Sequence, residues 1–157
     1  MPISLAVAAR RIAPPGLGSI LLGGAALWWG ARRDAVHPLA PLNAPSHWLW
    51  GDDALRQNGA SLRYTGVGAL THAGSSMFWA ALYDALRRRR RDPNPRNTIV
   101  DAAVTAGVAA MVDLVVVPRR LTPGFERQLS GPSLVCFYAA FAAGLALGGM
   151  LGMGKSR

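Results

Sequence analysis

The chain has 157 residues, enough for one compact unit and too few for two ordinary domains. Its net charge of +9 does not indicate nucleic-acid binding, because five of the 17 basic residues form one block directly after an apolar run. A nucleic-acid surface instead spreads its charge over a folded face with aromatic rings for stacking. The single Cys136 excludes an intrachain disulfide and a multi-cysteine zinc site. We expect the basic block to contact anionic lipid headgroups; it consists of Arg87, Arg88, Arg89, Arg90 and Arg91.

The distribution of charge along the chain is more informative than its mean hydropathy of +0.21. Three runs without a charged residue, at 12–31, 64–83 and 128–154, each reach the roughly 20 residues that cross about 30 Å of hydrocarbon as a helix. A fourth apolar segment carries only two acidic residues. We predict an all-α fold, a single polytopic membrane helical bundle over residues 1–157, with four transmembrane helices at 14–31, 62–86, 97–117 and 133–153.

The first predicted helix begins at the two prolines of 14–15, since the first turn of a helix tolerates proline. Two arginines at 10–11 before an apolar run resemble a secretory signal peptide. The run ends in Trp28 and Trp29, however, and not in the small residues of a cleavage site. We expect this helix to be retained as a membrane span.

The linker between the first two helices, residues 32–61, contains three prolines and is too proline-rich to cross the membrane. Its Trp48 and Trp50 indicate a short element that lies in the membrane interface, where the amphipathic indole ring is favoured. Asn43 or Ser46 is a candidate cap for such a helix.

The second helix carries a polar stripe, with residues three or four apart, that includes Thr65, His72 and Ser76. Asp113 of the third helix lies at a comparable depth. An ionisable residue inside a bilayer is costly, so it has a partner or a function. Two interpretations are open: a proton or ion site in which Asp113 holds a titrating histidine, and a structural polar contact that fixes the helices or reaches outward to an arginine.

The basic residues set the expected orientation, because cytoplasmic loops are enriched in Lys and Arg. With four spans, ten basic residues lie inside and seven outside, which places the N- and C-termini in the cytoplasm and the chain in a bacterial inner membrane. If the third helix, with Asp101 and Asp113, did not cross, the counts would be eleven and six. The charge rule leaves three spans open, and the length of 97–117 favours four.

Small residues four positions apart on the last helix, Gly144, Gly148 and Gly152, predict a ridge that lets another helix approach closely. Comparable alanine and glycine spacings on the first and third helices favour a tightly packed bundle. The sequence leaves open whether the ridge packs within the chain or against a second copy.

The linker also contains His47, Asp52 and Asp53, residue types that bind zinc or perform acid–base catalysis. His47 and Asp52 are five positions apart, which does not stack on one helix face, and no third histidine has a metal-ligand spacing. We therefore predict no metal and no cofactor. The two aspartates are expected at the N-terminus of a short helix.

Three segments combine aromatic, charged and proline residues in an unusual pattern: HWLWGD at 47–52, FWA at 78–80 downstream of His72, and VPRRLTPGFE at 117–126. They resemble an uncharacterised family of small bacterial inner-membrane proteins with four helices and no known activity. The resemblance covers about half of the chain and implies the fold and the membrane only. The alanine, glycine and arginine content fits a GC-rich bacterial genome.

The sequence thus predicts a small integral inner-membrane protein without enzymatic activity of its own. Its expected role is that of a structural or accessory helical-bundle subunit, which forms a homodimer or joins another membrane protein. The alternative is a proton-linked channel or transporter subunit that uses His72 and Asp113. A second alternative is a membrane-bound hydrolase or metal-binding protein that uses His47, Asp52 and Asp53.

Overall fold

Four long helices, packed side by side, make up the computed structural model, which describes residues 4–91 and 94–153. They are α1 (Leu5–Arg33), α2 (Val67–Arg87), α3 (Pro95–Met111) and α4 (Gly131–Met153). A π-helical turn precedes α2 at Leu62–Gly66, and another extends α3 at Val112–Val116. No strand occurs in these two described stretches. The predicted all-α class is therefore confirmed.

Three of the helical segments are long and apolar enough to cross a membrane: Leu5–Arg33, Pro95–Val116 and Gly131–Gly152. The second of them contains Asp101 and Asp113 and is the segment whose crossing the charge rule left open. The α2 helix is long enough, at 21 residues, but it is less apolar and is not among the three. The chain is thus a helical bundle with three candidate membrane spans and a fourth long helix of lower hydropathy.

The helix α1 begins nine residues earlier than the sequence predicts, at Leu5 and not at residue 14. The side chain of Ser4 caps it by accepting a hydrogen bond from the backbone N–H of Val7. Pro14 and Pro15 therefore lie inside the helix, and their predicted place in the first turn is wrong. At this point α1 packs backbone to backbone against α4, and that packing offsets the hydrogen bonds that the prolines remove.

The glycines of α4 determine how closely it approaches α1, the pair of helices with the most extensive contact. A Cβ atom on Gly144 would collide with the backbone of Gly18, and one on Gly148 with the backbone of Pro14. Gly152, one turn further, has nothing within 4 Å. Two members of the predicted ridge thus pack within the chain, and the third faces open space among the described residues.

Buried carboxylates hold together the end of the bundle at which α1 begins and α2 ends. Asp84 of α2 accepts from Arg11 of α1 at 3.1 Å and pairs with Arg88 at 3.2 Å. Asp101 of α3, whose side chain is 1% exposed, pairs with Arg90 at 2.6 Å. Two arginines of the basic block are therefore bound to the bundle itself.

Candidate functional site

Two segments at one end of the bundle pack on each other and form what we call the cap, residues 34–61 and 117–130. The first consists of short helical turns at Ala40–Asn43, Ala44–Ser46, His47–Trp50 and Gly51–Arg56. Trp48 Nε1 donates to the carbonyl of Thr122 at 2.9 Å, and Gln128 Nε2 donates to the carbonyl of Leu55 at 2.9 Å. The linker motif and the loop motif of the sequence thus form one structural unit.

Asn43 joins the cap to the start of α2. Its side chain is buried; Nδ2 donates to the carbonyls of Gln57 at 2.9 Å and Gly59 at 3.1 Å, and Oδ1 accepts from Thr65 Oγ1 at 2.8 Å. The prediction that Asn43 or Ser46 caps a helix is wrong, because neither side chain makes a capping hydrogen bond. Thr65 belongs to this junction and is separate from the other polar residues of its stripe.

Asp34 joins the end of α1 to the start of α4. It accepts hydrogen bonds from the backbone N–H of Ser130 at 2.7 Å and from the Ser130 hydroxyl at 2.9 Å. The backbone N–H contributes most to holding the pKa of the Asp34 carboxyl below its ordinary value. This contact fixes the edge of the cap where the loop 117–130 enters α4.

Beneath the cap lies a cavity of about 620 Å³, lined by α2, the end of α3 and α4, which we call the capped cavity. The contact between α2 and α3 is less extensive than that of the other neighbouring helices, and the cavity occupies this gap. Its walls bring together three of the residues singled out in the sequence, His72, Ser76 and Asp113. Seven of the other 16 lining residues are aromatic: Trp48, Phe78, Trp79, Phe125, Phe137, Tyr138 and Phe141.

The mouth of the capped cavity lies on the side of α2. Gly74 and Phe78 line the cavity and are both exposed, Phe78 to 58%. A side chain added at Gly74 would meet nothing within 4 Å. The cavity is therefore open beside α2, and the cap covers its end only in part, since the lining residues Trp48 and Leu121 are exposed to 37% and 49%.

Asp113 receives a hydrogen bond from Tyr138 of α4, whose hydroxyl donates to Oδ2 at 3.0 Å. None of the ion pairs in the part of the chain described here includes Asp113, so the outward contact to an arginine is not formed. The sequence reasoning missed Tyr138. A phenolic hydroxyl within a helix otherwise made of apolar residues is the signal that could have identified it.

His72 is 8% exposed, and its ring nitrogen Nε2 lies 3.2 Å from the carbonyl of Ile20 on α1. Because a carbonyl only accepts, Nε2 carries the proton, and Nδ1 of the neutral ring keeps a lone pair. Gly23 makes room for the ring, since a Cβ there would lie 3.3 Å from His72 Cε1. His72 and Asp113 share the cavity without a hydrogen bond between them.

Ser76 follows His72 by one helical turn and is 1% exposed. Its hydroxyl has no hydrogen-bond partner among the described residues. A buried hydroxyl without a partner costs about 1–3 kcal/mol. Ser76 is therefore an unsatisfied polar group in the wall of the cavity, with its hydroxyl oxygen almost fully covered.

The structure does not unite His47, Asp52 and Asp53. His47 is 2% exposed and its Nδ1 donates to the carbonyl of Ala44 at 2.9 Å, whereas Asp52 pairs with Arg127 at 3.3 Å and Asp53 pairs with Arg56. Within residues 4–91 and 94–153, no cluster of three histidine, cysteine or acidic residues has the geometry of a metal site.

The capped cavity combines an apolar aromatic wall with a short strip of polar groups, His72, Ser76 and Asp113. Sites that bind small molecules have this composition, because the wall supplies affinity and a few polar groups fix the orientation of the ligand. The volume lies within the roughly 300–1,000 Å³ of such sites. Comparison with protein families, curated proteins and solved structures finds no match for this chain.

Proposed function

We propose that this chain is a membrane protein that binds a small, largely apolar molecule in the capped cavity. The observation that carries the proposal is the 620 Å³ volume, with the buried His72 and Ser76 and the partly buried Asp113 in a wall rich in aromatic rings. This volume is roughly 20 times the share of one water molecule in the liquid, far more than a proton relay or a single ion needs. The volume therefore favours a binding subunit over the proton-linked channel. The separate partners of His47, Asp52 and Asp53 argue against the hydrolase.

We also propose that α2 is a fourth span. Its polar side chains face its neighbours, with His72, Ser76 and Asp84 buried, and Leu70 points outward at 74% exposure. A helix whose polar groups are covered by other helices crosses a membrane in spite of a lower mean hydropathy. The excess of basic residues inside supports a bacterial inner membrane with both termini cytoplasmic. Two of these basic residues, at 155–157, lie outside the described residues.

The arginines that contact anionic headgroups are a subset of the basic block. Arg88 and Arg90 bind buried carboxylates, and Arg87 lies over the ring of Tyr83, 5.4 Å from its centroid. Arg89 and Arg91 form no ion pair within the described part of the chain. We assign the headgroup contact to these two side chains.

Four spans predict a specific labelling pattern in intact cells. In a Cys136→Ala background, Gly59→Cys and Arg120→Cys are expected to react with a membrane-impermeant maleimide, and Arg89→Cys is expected to react only after permeabilisation. All three positions are exposed in the structure. Equal labelling of Gly59→Cys and Arg89→Cys would show that α2 does not cross.

The binding function predicts saturable uptake of a small apolar probe. We expect tritiated tert-butylbenzene to bind the protein immobilised in lipid nanodiscs, measured by scintillation proximity against empty discs. Gly74→Trp fills the mouth of the cavity and is expected to weaken binding by at least about tenfold. Gly24→Trp is the matched control, because Gly24 also has open space around it but does not line the cavity. Absence of a saturable signal in the wild type would refute the proposal.

A further inference from the structure

We infer that the capped cavity is a site for an organic cation, an amine or quaternary ammonium group carried on an apolar body. The inference rests on the binding function proposed above and adds the chemical class of the ligand. It follows from the charge, the aromatic wall and the hydrogen-bonding groups of the cavity.

The charge of the cavity is negative. Asp113 is its one acidic lining residue, and no lysine or arginine of the described chain lines it. A carboxylate partly removed from water is stabilised by a positive charge beside it. The protein places none in the cavity, so the ligand is the natural source of that charge.

The aromatic wall suits the same ligand. Tryptophan, tyrosine and phenylalanine attract cations through the negative potential of their ring faces, and clusters of them recognise quaternary ammonium groups. Here the rings come from three sides: Trp48 from the cap, Trp79 from α2, and Phe137, Tyr138 and Phe141 from α4. This arrangement surrounds a ligand carrying a positive charge on a hydrophobic frame.

The free hydrogen-bonding positions are acceptors. Tyr138 donates to Oδ2 of Asp113 and leaves Oδ1 for a ligand, and His72 keeps the lone pair of Nδ1 because Nε2 binds the carbonyl of Ile20. A protonated amine has N–H donors to match, whereas a quaternary ammonium group has none and is held by its charge beside Asp113 and by the ring faces. A carboxylate or phosphate ligand would meet Asp113 with no cation to hold it.

The test uses two compounds of the same shape, phenyltrimethylammonium and tert-butylbenzene, which differ by a nitrogen in place of a carbon. The wild-type protein in nanodiscs is expected to bind the ammonium compound at least about tenfold more tightly, after correction for partition into empty discs. In Asp113→Asn the ratio of the two affinities is expected to fall from about tenfold to about one. Retained binding of the uncharged compound shows that the variant is folded.

Asp53→Asn is the matched control, because Asp53 is an exposed carboxylate of the cap that does not line the cavity. It should leave both affinities unchanged. The organic-cation assignment is overturned if the wild type binds the two compounds equally, or if Asp113→Asn loses affinity for both compounds equally. Either result leaves the binding function standing. Saturable binding of neither compound would instead overturn the binding function.

Discussion

Gly148→Leu is expected to separate α1 from α4 and to lower the thermal midpoint of the purified protein by about 5–10 °C. The side chain has no space, since even a Cβ atom would collide with the backbone of Pro14. Overpacking a core costs about 1–3 kcal/mol, and each kcal/mol moves the midpoint of a chain of this size by about 2–4 °C. The midpoint can be measured as heat-induced loss of the monodisperse peak in fluorescence-detected size exclusion.

Gly152→Leu is the control for this variant. It makes the same change one turn along the same helix, at a position with nothing within 4 Å. Its midpoint should equal that of the wild type. If Gly152→Leu were the damaging change and Gly148→Leu were tolerated, the ridge would pack against another copy of the chain and not against α1.

Gly124→Val is expected to detach the two halves of the cap and to weaken binding of tert-butylbenzene by about tenfold. Gly124 has φ of +88°, which costs a β-branched residue about 1–3 kcal/mol, and a Cβ there would lie 2.9 Å from His47 Nδ1 and 3.0 Å from the carbonyl of Ala44. Trp48 and Phe125, which belong to the cap, would then leave the cavity wall. Hydrogen exchange of residues 34–61 should rise in parallel.

Gly59→Val tests whether the effect is specific to this position. Gly59 lies in the same cap, has an ordinary φ and has no atom within 4 Å of an added Cβ. Exchange and binding should stay at wild-type levels. Normal exchange in Gly124→Val would mean that the cap halves do not depend on their contact at this glycine.

With the π-helical turns counted as parts of α2 and α3, local sequence pattern was sufficient to predict three of the four helices to within two residues at either end. The start of α1 was missed because the two prolines read as a boundary, whereas packing against Gly148 holds them inside the helix. The polar stripe on α2 lies on a buried face at His72 and Ser76, whereas Thr65 belongs to the junction with the cap. The spacing of polar and apolar residues indicates which face of a helix is buried, but it does not indicate which helix packs against that face.

Contacts between segments that are far apart in the chain could not be predicted from the sequence. Trp48 and Thr122 are 74 positions apart and meet through a single hydrogen bond of the cap, and Tyr138 reaches Asp113 from another helix. Such pairs depend on how the helices are arranged in three dimensions, which composition and spacing do not encode. The motifs of the linker and the loop are far apart in the sequence and contact each other only in the folded cap.

The sideways mouth at Gly74 and Phe78 has a consequence for how strongly any ligand acts. If α2 spans the bilayer, the entrance faces acyl chains, and a ligand arrives after dissolving in the lipid phase. The relevant concentration is then that within the leaflet, which for an amphiphile exceeds the aqueous value by its partition coefficient. A ligand that binds the site weakly would then saturate the protein at a low aqueous concentration. Its apparent affinity would change with the lipid composition of the membrane.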